Sequence, residues 1–170
     1  MKKQDLSLAL VSVNAPVLCG LYQDNGENLE LFDCISSSDT ALKALPYIFE
    51  SFFPPSNQTN KYRDFQLKRI FYANGPGSFT ALKLTHIFLQ TLKLVHHIEL
   101  YATSSFYFTS YPYLKAFGNQ YFTQCDGNIL LVHQDCVPPY ALETLFALPQ
   151  RFHPKDFAHD TQPLYILPPI

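Results

Sequence analysis

The stretch that decides the fold reads Phe71-Tyr72-Ala73-Asn74-Gly75-Pro76-Gly77-Ser78-Phe79-Thr80-Ala81-Leu82-Lys83. A short apolar run leads into it and a long helical pattern follows it. Glycine permits the positive φ angles that a sharp turn often requires, and proline fixes φ within the turn. Ser78 is suited to cap the helix, because its hydroxyl oxygen can accept a hydrogen bond from a first-turn N–H. The stretch therefore predicts a strand, a tight turn and a helix in succession.

A junction of this kind has three uses. It can bind a phosphate, because the N-terminus of a helix attracts anions. It can present a nucleophile, but Gly75 and Gly77 do not flank a serine as the G-x-S-x-G motif requires, and the spacing of a P-loop is absent. It can also simply join a core strand to a core helix. The residues favour this structural use, with anion binding as the main alternative.

The turn also resembles a known family. The run Gly75, Pro76, Gly77, Ser78, Phe79, Thr80 matches, without a break, the GPGSFTGLR signature of the TsaB (YeaZ) family. Two residues depart from it, since Ala81 replaces a glycine and Lys83 replaces an arginine. Leu45-Pro46-Tyr47-Ile48 is similar to the L-L-P-x-I helix of the family, and residues 95–106 resemble its next strand and helix start. The resemblance is good from about residue 38 to 108 and weaker on either side.

This resemblance implies a fold, a function and partners. The fold is α/β, with a ribonuclease H-like lobe of the actin, heat-shock and sugar-kinase (ASKHA) superfamily over residues 1–106 and a reduced second lobe over residues 107–170. The function is that of a non-catalytic subunit of the complex that makes threonylcarbamoyladenosine in tRNA, next to the anticodon. The implied partners are TsaD, which transfers the threonylcarbamoyl group, and the ATPase TsaE through the complex, with tRNA contacted only indirectly.

The pattern along the chain agrees with a mixed α/β sheet. It predicts strands over Leu6–Val13, Val17–Gln23 and Asn28–Ile35, a helix over Thr40–Phe53 that Pro46 kinks, a strand over Leu67–Ala73 and a second helix over Phe79–His96. Beyond these, it predicts a hairpin around Asp126-Gly127, a short helix over Tyr140–Leu148, and a closing segment over Pro163–Pro168 that is similar to the end of the family.

Several observations argue against independent catalysis. Enzymes of this superfamily carry an acidic residue and hydroxyls after the first strand, where this chain has Val11-Ser12-Val13. A Mg-nucleotide requires oxygen ligands, so no nucleotide or other cofactor is expected. The four cysteines lack C-x-x-C spacing and the six histidines lack metal-pair spacing, so no metal site is predicted. A phosphate-binding enzyme of the kinase or hydrolase type remains a weaker alternative.

Composition limits the classes of partner. The 170 residues carry a formal net charge of −2, which gives no basic excess for gripping nucleic acid. No apolar run is long enough to span a membrane, and the N-terminus has no signal-peptide pattern, so a cytoplasmic protein is expected. Aromatic residues make up 15% and charged residues 15% of the chain. Either a partner covers exposed apolar surface, or the core is unusually aromatic.

The two helices are the predicted partner surface. The second helix is apolar on most sides, with Leu84, Phe88, Leu92 and Val95 on one face. We expect this face to pack inward and the opposite sides to remain available. The predicted contacts with TsaD are Leu42, Phe49, Leu82, Lys83, His86 and Leu89. A homodimer of this chain that serves as a degenerate scaffold is the alternative use of the same helices.

Overall fold

The computed structural model describes residues 2–143 and 145–166, which form two β-sheets and two α-helices. The first part of the chain contains β1 Gln4–Val11, β2 Val17–Asp24, β3 Leu29–Ser37, α1 Ala41–Glu50, β4 Phe65–Ala73, α2 Phe79–His96 and β5 Glu99–Thr103. The second part contains β6 Tyr113–Lys115, β7 Gln120–Cys125, β8 Asn128–His133 and β9 Arg151–Phe152. Short 3-10 turns occupy Ser105–Phe108, Gln134–Cys136, Pro139–Ala141 and Pro154–Asp156.

The larger sheet has six strands in the order β5-β4-β1-β2-β3-β9. Strands β1, β2 and β3 form the predicted antiparallel meander, while β4 pairs parallel to β1 and β5 pairs parallel to β4. Parallel neighbours need a crossover connection, which α1 and α2 provide. The result is a mixed α/β fold, as predicted. A separate antiparallel sheet has the order β6-β7-β8.

Both helices cover one face of the larger sheet. Leu8, Leu10 and Ile70 of the sheet are fully buried in one cluster with Ile48 of α1 and Leu89 of α2. The helices also contact each other, since the rings of Phe49 and Phe88 meet edge to face at 5.2 Å. α1 is shorter than predicted, although it contains Pro46 as expected. No helix in the described ranges has the length and hydropathy needed to cross a membrane.

The opposite face of this sheet is covered by aromatic residues from the C-terminal segment. Phe71 of β4 contacts Phe152 and Phe157, each with its ring centre 5.1 Å away. Phe108, in the turn after β5, is also buried in this cluster. The aromatic content of the sequence therefore fills a real core, which is one of the two explanations that composition left open.

Residues 145–166 return to the larger sheet, although the sequence assigned all of residues 107–170 to a second lobe. β9 pairs with the edge strand β3, and Ala158 forms a bridge with Ala102 of β5. Further along, the main-chain N–H of Leu164 donates to the carbonyl of Asn74, at the end of β4. Among the described residues, the strands β6, β7 and β8 form a sheet of their own and do not pair with the larger sheet. The predicted end of the closing segment, Leu167 and Pro168, lies outside the described residues.

Of two local predictions for the second half, one is wrong and the other is confirmed. The helix expected over Tyr140–Leu148 is wrong, since only the 3-10 turn Pro139–Ala141 forms there and Thr144 lies outside the described residues. Phe146 and Leu148 pack instead against the aromatic cluster of the larger sheet. The hairpin around Asp126-Gly127 is confirmed.

Candidate functional site

The candidate site is the junction between β4 and α2, where the glycines serve two different purposes. Gly75 has a φ of +128°, which is the conformation that glycine adopts readily. Gly77 does not have positive φ, and its role is close approach. A Cβ built on Gly77 would lie 2.6 Å from the Cβ of Val13 and 2.7 Å from its carbonyl oxygen. The turn thus brings the start of α2 against the residues that follow β1.

Ser78 is the N-cap of α2, as predicted. Its hydroxyl oxygen accepts from the N–H of Ala81 at 3.4 Å, and its carbonyl accepts from the N–H of Leu82 at 2.9 Å. The N–H of Ser78 donates to the carbonyl of Val13 at 2.8 Å. Through these hydrogen bonds Ser78 caps the helix and connects its start to Val13. They support a structural role for this serine.

The segment after β5 and the C-terminal segment hold the other side of the turn. The N–H of Ser105 donates to the carbonyl of Gly75, and the side-chain amide of Asn74 donates to the carbonyl of Gln162. Tyr72, just before the turn, donates its hydroxyl to the carbonyl of Thr161. Burial raises the pKa of Tyr72 to about 12, so this hydroxyl keeps its proton at neutral pH. The turn is therefore a fixed junction with contacts on both sides.

A groove of about 490 Å³ opens beside the N-terminus of α2. Its lining includes the exposed Phe79, whose ring lies 4.6 Å from that of Tyr165, together with Phe122 of β7 and Phe117 of the turn before β7. Within the described residues, no lysine, arginine, aspartate or glutamate lines it. Chemically, this is an apolar aromatic groove. It offers no cationic side chain to a phosphate, so it does not support the phosphate-binding alternative.

The end of β1 is closed off by packing. Val11 and Val13 are fully buried, and the hydroxyl of Ser12 lies 2.9 Å from that of Thr85, which also donates to the carbonyl of Ser12. The hydroxyl of Ser12 is thus engaged inside the core between β1 and α2. No cluster of metal-ligating side chains occurs in the parts of the chain that are described. The residues present here do not fit a metal-bound nucleotide.

The predicted partner residues divide between core and surface. Leu82, Leu89 and Phe49 have exposed fractions of 4%, 0% and 3%, so the expectation that they lie on a free surface is wrong. The buried stripe of α2 consists of Leu82, Thr85, Leu89 and Leu92, at helical spacings of three, four and three. Since α2 is apolar on most sides, periodicity alone did not identify this stripe.

The remaining predicted partner residues lie at the surface or near it. Leu42 of α1 is 67% exposed and Lys83 of α2 is exposed, while His86 is half-buried. The Nδ1 atom of His86 is buried and has no hydrogen-bond partner among the described residues. The structure therefore keeps Leu42 and Lys83 available for a partner.

Large apolar side chains absent from the predicted set lie on the same two helices. The structure exposes Tyr47 of α1 and Ile87, Leu94 and Val95 of α2. On α2, Ile87 lies opposite the buried stripe, and Val95 lies toward the side of Phe88, which contacts α1. Leu42 and Leu84 line one shallow pocket between the first turns of the two helices. We call Leu42, Leu84, Ile87, Leu94 and Val95 the helix-pair face.

Comparison with known proteins gives similarity at the level of structure. The sequence matches no protein-family model and none of the curated proteins. The structure is similar to that of YeaZ from Pseudomonas aeruginosa, with a TM-score of 0.56 and 12% identity, over 96% of this chain and 100% of that one. A second solved structure, an uncharacterised protein with similarity to peptidase YeaZ from Pseudomonas aeruginosa, has a TM-score of 0.44 and 15% identity, over 76% of this chain and 64% of that one. The similarity to YeaZ shows that this chain has a YeaZ-like fold.

Proposed function

We propose that this chain is a TsaB-like, non-catalytic subunit of the complex that makes threonylcarbamoyladenosine in tRNA, and that it binds and supports TsaD. One observation carries the proposal. The G-P-G-S-F-T run, Gly75–Thr80, forms the junction between β4 and α2 in a chain whose fold is similar to that of YeaZ over nearly its whole length. Sequence motif and fold thus point to the same family from separate observations.

The topology supports the finer assignment of the fold. A three-stranded antiparallel meander is followed by two strands parallel to its first strand, and both connecting helices lie on one face. This is the arrangement that we expect of a ribonuclease H-like lobe of the ASKHA superfamily. The small β6-β7-β8 sheet is what we assign as the reduced second lobe.

The proposed lack of catalysis rests on the end of β1. Related enzymes carry a metal-holding carboxylate at the positions of Val11-Ser12-Val13. Here these three residues have no carboxylate and are buried, and Thr85 forms a hydrogen bond with the hydroxyl of Ser12. We therefore assign no cofactor to this chain, and leave the chemistry of the complex to TsaD. A phosphate-binding enzyme is disfavoured for the same reason, and because the groove at α2 has no cationic lining.

The helix-pair face is the proposed contact with TsaD. Leu42 is 67% exposed, Ile87 54% and Val95 62%, which is unusual for large apolar side chains on neighbouring helices. Two adjacent helices with such a face can complete a four-helix arrangement with a similar pair at a shallow crossing angle. TsaE would join through the complex and tRNA would be contacted indirectly, in the cytoplasm.

The test of this function is replacement of a bacterial TsaB in the cell. A strain depleted of its own TsaB receives this chain together with the TsaD and TsaE of the same source, and threonylcarbamoyladenosine in its tRNA is measured by mass spectrometry. The proposal expects the modified nucleoside to return, and to be lost again when TsaD of that source is omitted. A homodimeric scaffold unrelated to tRNA would not restore it.

A further inference from the structure

The groove beside the N-terminus of α2 exposes aromatic rings that a folded protein usually covers. Phe79 is 56% exposed, Phe117 45% and Tyr165 38%, and all three line the same groove of about 490 Å³. Because no charged side chain of the described residues lines it, the groove suits an apolar occupant. The path of the C-terminal segment indicates which occupant this is.

The C-terminal segment is fixed to the end of β4 before it enters the groove. The hydroxyl of Tyr72 donates to the carbonyl of Thr161 at 3.1 Å, and the side-chain amide of Asn74 donates to the carbonyl of Gln162 at 2.9 Å. The N–H of Leu164 then donates to the carbonyl of Asn74 at 2.8 Å. These three hydrogen bonds determine the path of the chain up to Leu164.

The chain therefore reaches the groove at a defined place. The ring of Tyr165 lies 4.6 Å from that of Phe79, and Ile166 follows it in the lining of the groove. The next four residues, Leu167-Pro168-Pro169-Ile170, lie outside the described residues. We call these four residues the tail. Since the tail is joined directly to Ile166, it begins at the groove itself.

We propose that the tail binds in this groove, so that its apolar side chains cover the rings of Phe79, Phe117 and Tyr165. Attachment to Ile166 favours this occupant, because a tethered segment meets its site at an effective concentration in the millimolar range. In the polyproline II conformation four residues span about 12 Å, which lets the tail cross a groove of this volume. The contact lies within one chain and stands independently of binding to TsaD.

The composition of the tail matches the chemistry of the groove. None of its four side chains is polar or charged. Proline has no N–H, so Pro168 and Pro169 remove two donors that an apolar groove could not satisfy. Consecutive prolines also favour the polyproline II conformation, which aromatic grooves bind at a low cost in conformational entropy. Binding there would remove Leu167 and Ile170 from water together with the aromatic rings.

Nuclear magnetic resonance of the full chain tests the position of the tail directly. In protein with labelled isoleucine δ1 methyl groups, the signal of Ile170 is assigned by its loss in Ile170→Val. We expect nuclear Overhauser contacts between this methyl group and the ring protons of Phe79 or Phe117. Phe117→Leu should remove the contacts that come from that ring and leave those from Phe79.

A fluorescence measurement tests the same contact, because the chain has no tryptophan of its own. In Phe117→Trp the tail should shield the indole from acrylamide, and truncation after Ile166 should raise the quenching constant about twofold as more of the ring is exposed. The double variant Leu167→Asp, Ile170→Asp keeps the length of the tail and should have the same effect, since an apolar groove disfavours carboxylates. Phe32→Trp is the matched control, because Phe32 is 42% exposed on β3, outside the groove lining, and its quenching should not change.

Equal quenching of Phe117→Trp with and without the tail would overturn the proposal, and so would an Ile170 methyl group that has no contact with a ring of the groove. An equal rise in quenching at Phe32→Trp would also contradict it, because truncation would then affect the fold as a whole. If the indole of Phe117→Trp becomes shielded only when a small aromatic compound or another protein is added, the groove has a foreign occupant and the tail does not bind there.

Discussion

The backbone of Gly77 lies directly against Val13, with no room between them for a side chain. A Cβ on Gly77 would lie 2.7 Å from the carbonyl oxygen of Val13, and this oxygen also accepts the N–H of Ser78. The contact joins the segment just after β1 to the start of α2. It explains why the turn needs glycine at a position where φ is not positive.

Replacing Gly77 with alanine should therefore destabilise the chain through overpacking, by about 1–3 kcal/mol. Urea unfolding followed by circular dichroism measures this change. Gly26→Ala is the comparison variant for backbone strain without overpacking, because Gly26 has a φ of +98° but no atom within 4 Å of the added Cβ. If Gly77→Ala unfolds at the same urea concentration as the wild type, the close approach is not a constraint on this turn.

Ser78→Ala should cost about 1 kcal/mol, because the N–H of Ala81 loses its capping oxygen. Ser78→Asp should restore most of this stability, since aspartate is also a good N-cap. Both variants should retain function in the cell-based replacement assay. A Ser78→Ala variant of unchanged stability that fails to support tRNA modification would instead assign this hydroxyl a chemical role.

Leu89→Glu should not fold, because Leu89 is fully buried between α2 and the sheet, where an unpaired carboxylate is very costly. Leu94→Glu, five residues further along the same helix at a position 76% exposed, should fold normally. Far-ultraviolet circular dichroism and thermal unfolding of the two variants make the comparison. A folded Leu89→Glu protein would contradict the position of α2 described here.

The group formed by Asp33, Lys61 and Tyr62 should make stability depend on pH. The Lys61 ammonium, 3.0 Å away, and the Tyr62 hydroxyl, 2.8 Å away, donate to the carboxylate of Asp33 and hold its pKa below the ordinary value. Because the folded-state pKa is the lower one, the stabilisation is present above the unfolded pKa of about 3.9 and is lost as pH falls through the folded value.

Asp33→Asn should consequently be less stable than the wild type at neutral pH, with a difference that shrinks as the solution is acidified below pH of about 4. Unfolding free energies from urea titrations at a series of pH values provide the measurement. Lys61→Met should reproduce part of the same pH dependence, since it removes the first donor. A wild-type advantage that stays constant down to the lowest pH would rule out this linkage.

Local patterns predicted the first half of the fold well. The meander, the turn and the cap at Ser78 each depend on short-range signals, such as the glycines of the turn or the alternation of a strand. The core side of α2 could not be predicted in this way. Its buried stripe includes Thr85, which looks polar in sequence but donates its hydroxyl to Ser12, whereas exposed positions such as Leu94 look like core.

The second half was harder because its contacts are long-range and irregular. Phe152 and Phe157 reach the larger sheet from a segment with almost no regular structure, and no periodicity marks them as core. The apolar run that ends in Phe146 and Leu148 has helical spacing, yet these two residues pack on the aromatic cluster without lying in a helix. Tertiary packing overrides local preference in this segment.

The proposal that this chain binds TsaD through the helix-pair face is tested most directly by titration calorimetry with purified TsaD. Three proteins are compared: the wild-type chain, Ile87→Glu and Leu145→Glu. Leu145 is 62% exposed, similar to Ile87 at 54%, but lies outside the helix-pair face. We expect a saturable complex that Ile87→Glu weakens by about 30-fold, because a central apolar contact is lost, and that Leu145→Glu leaves unchanged. A folded wild-type chain that gives no binding signal with active TsaD would contradict the proposed function, and equal binding by all three would place the contact elsewhere on the molecule.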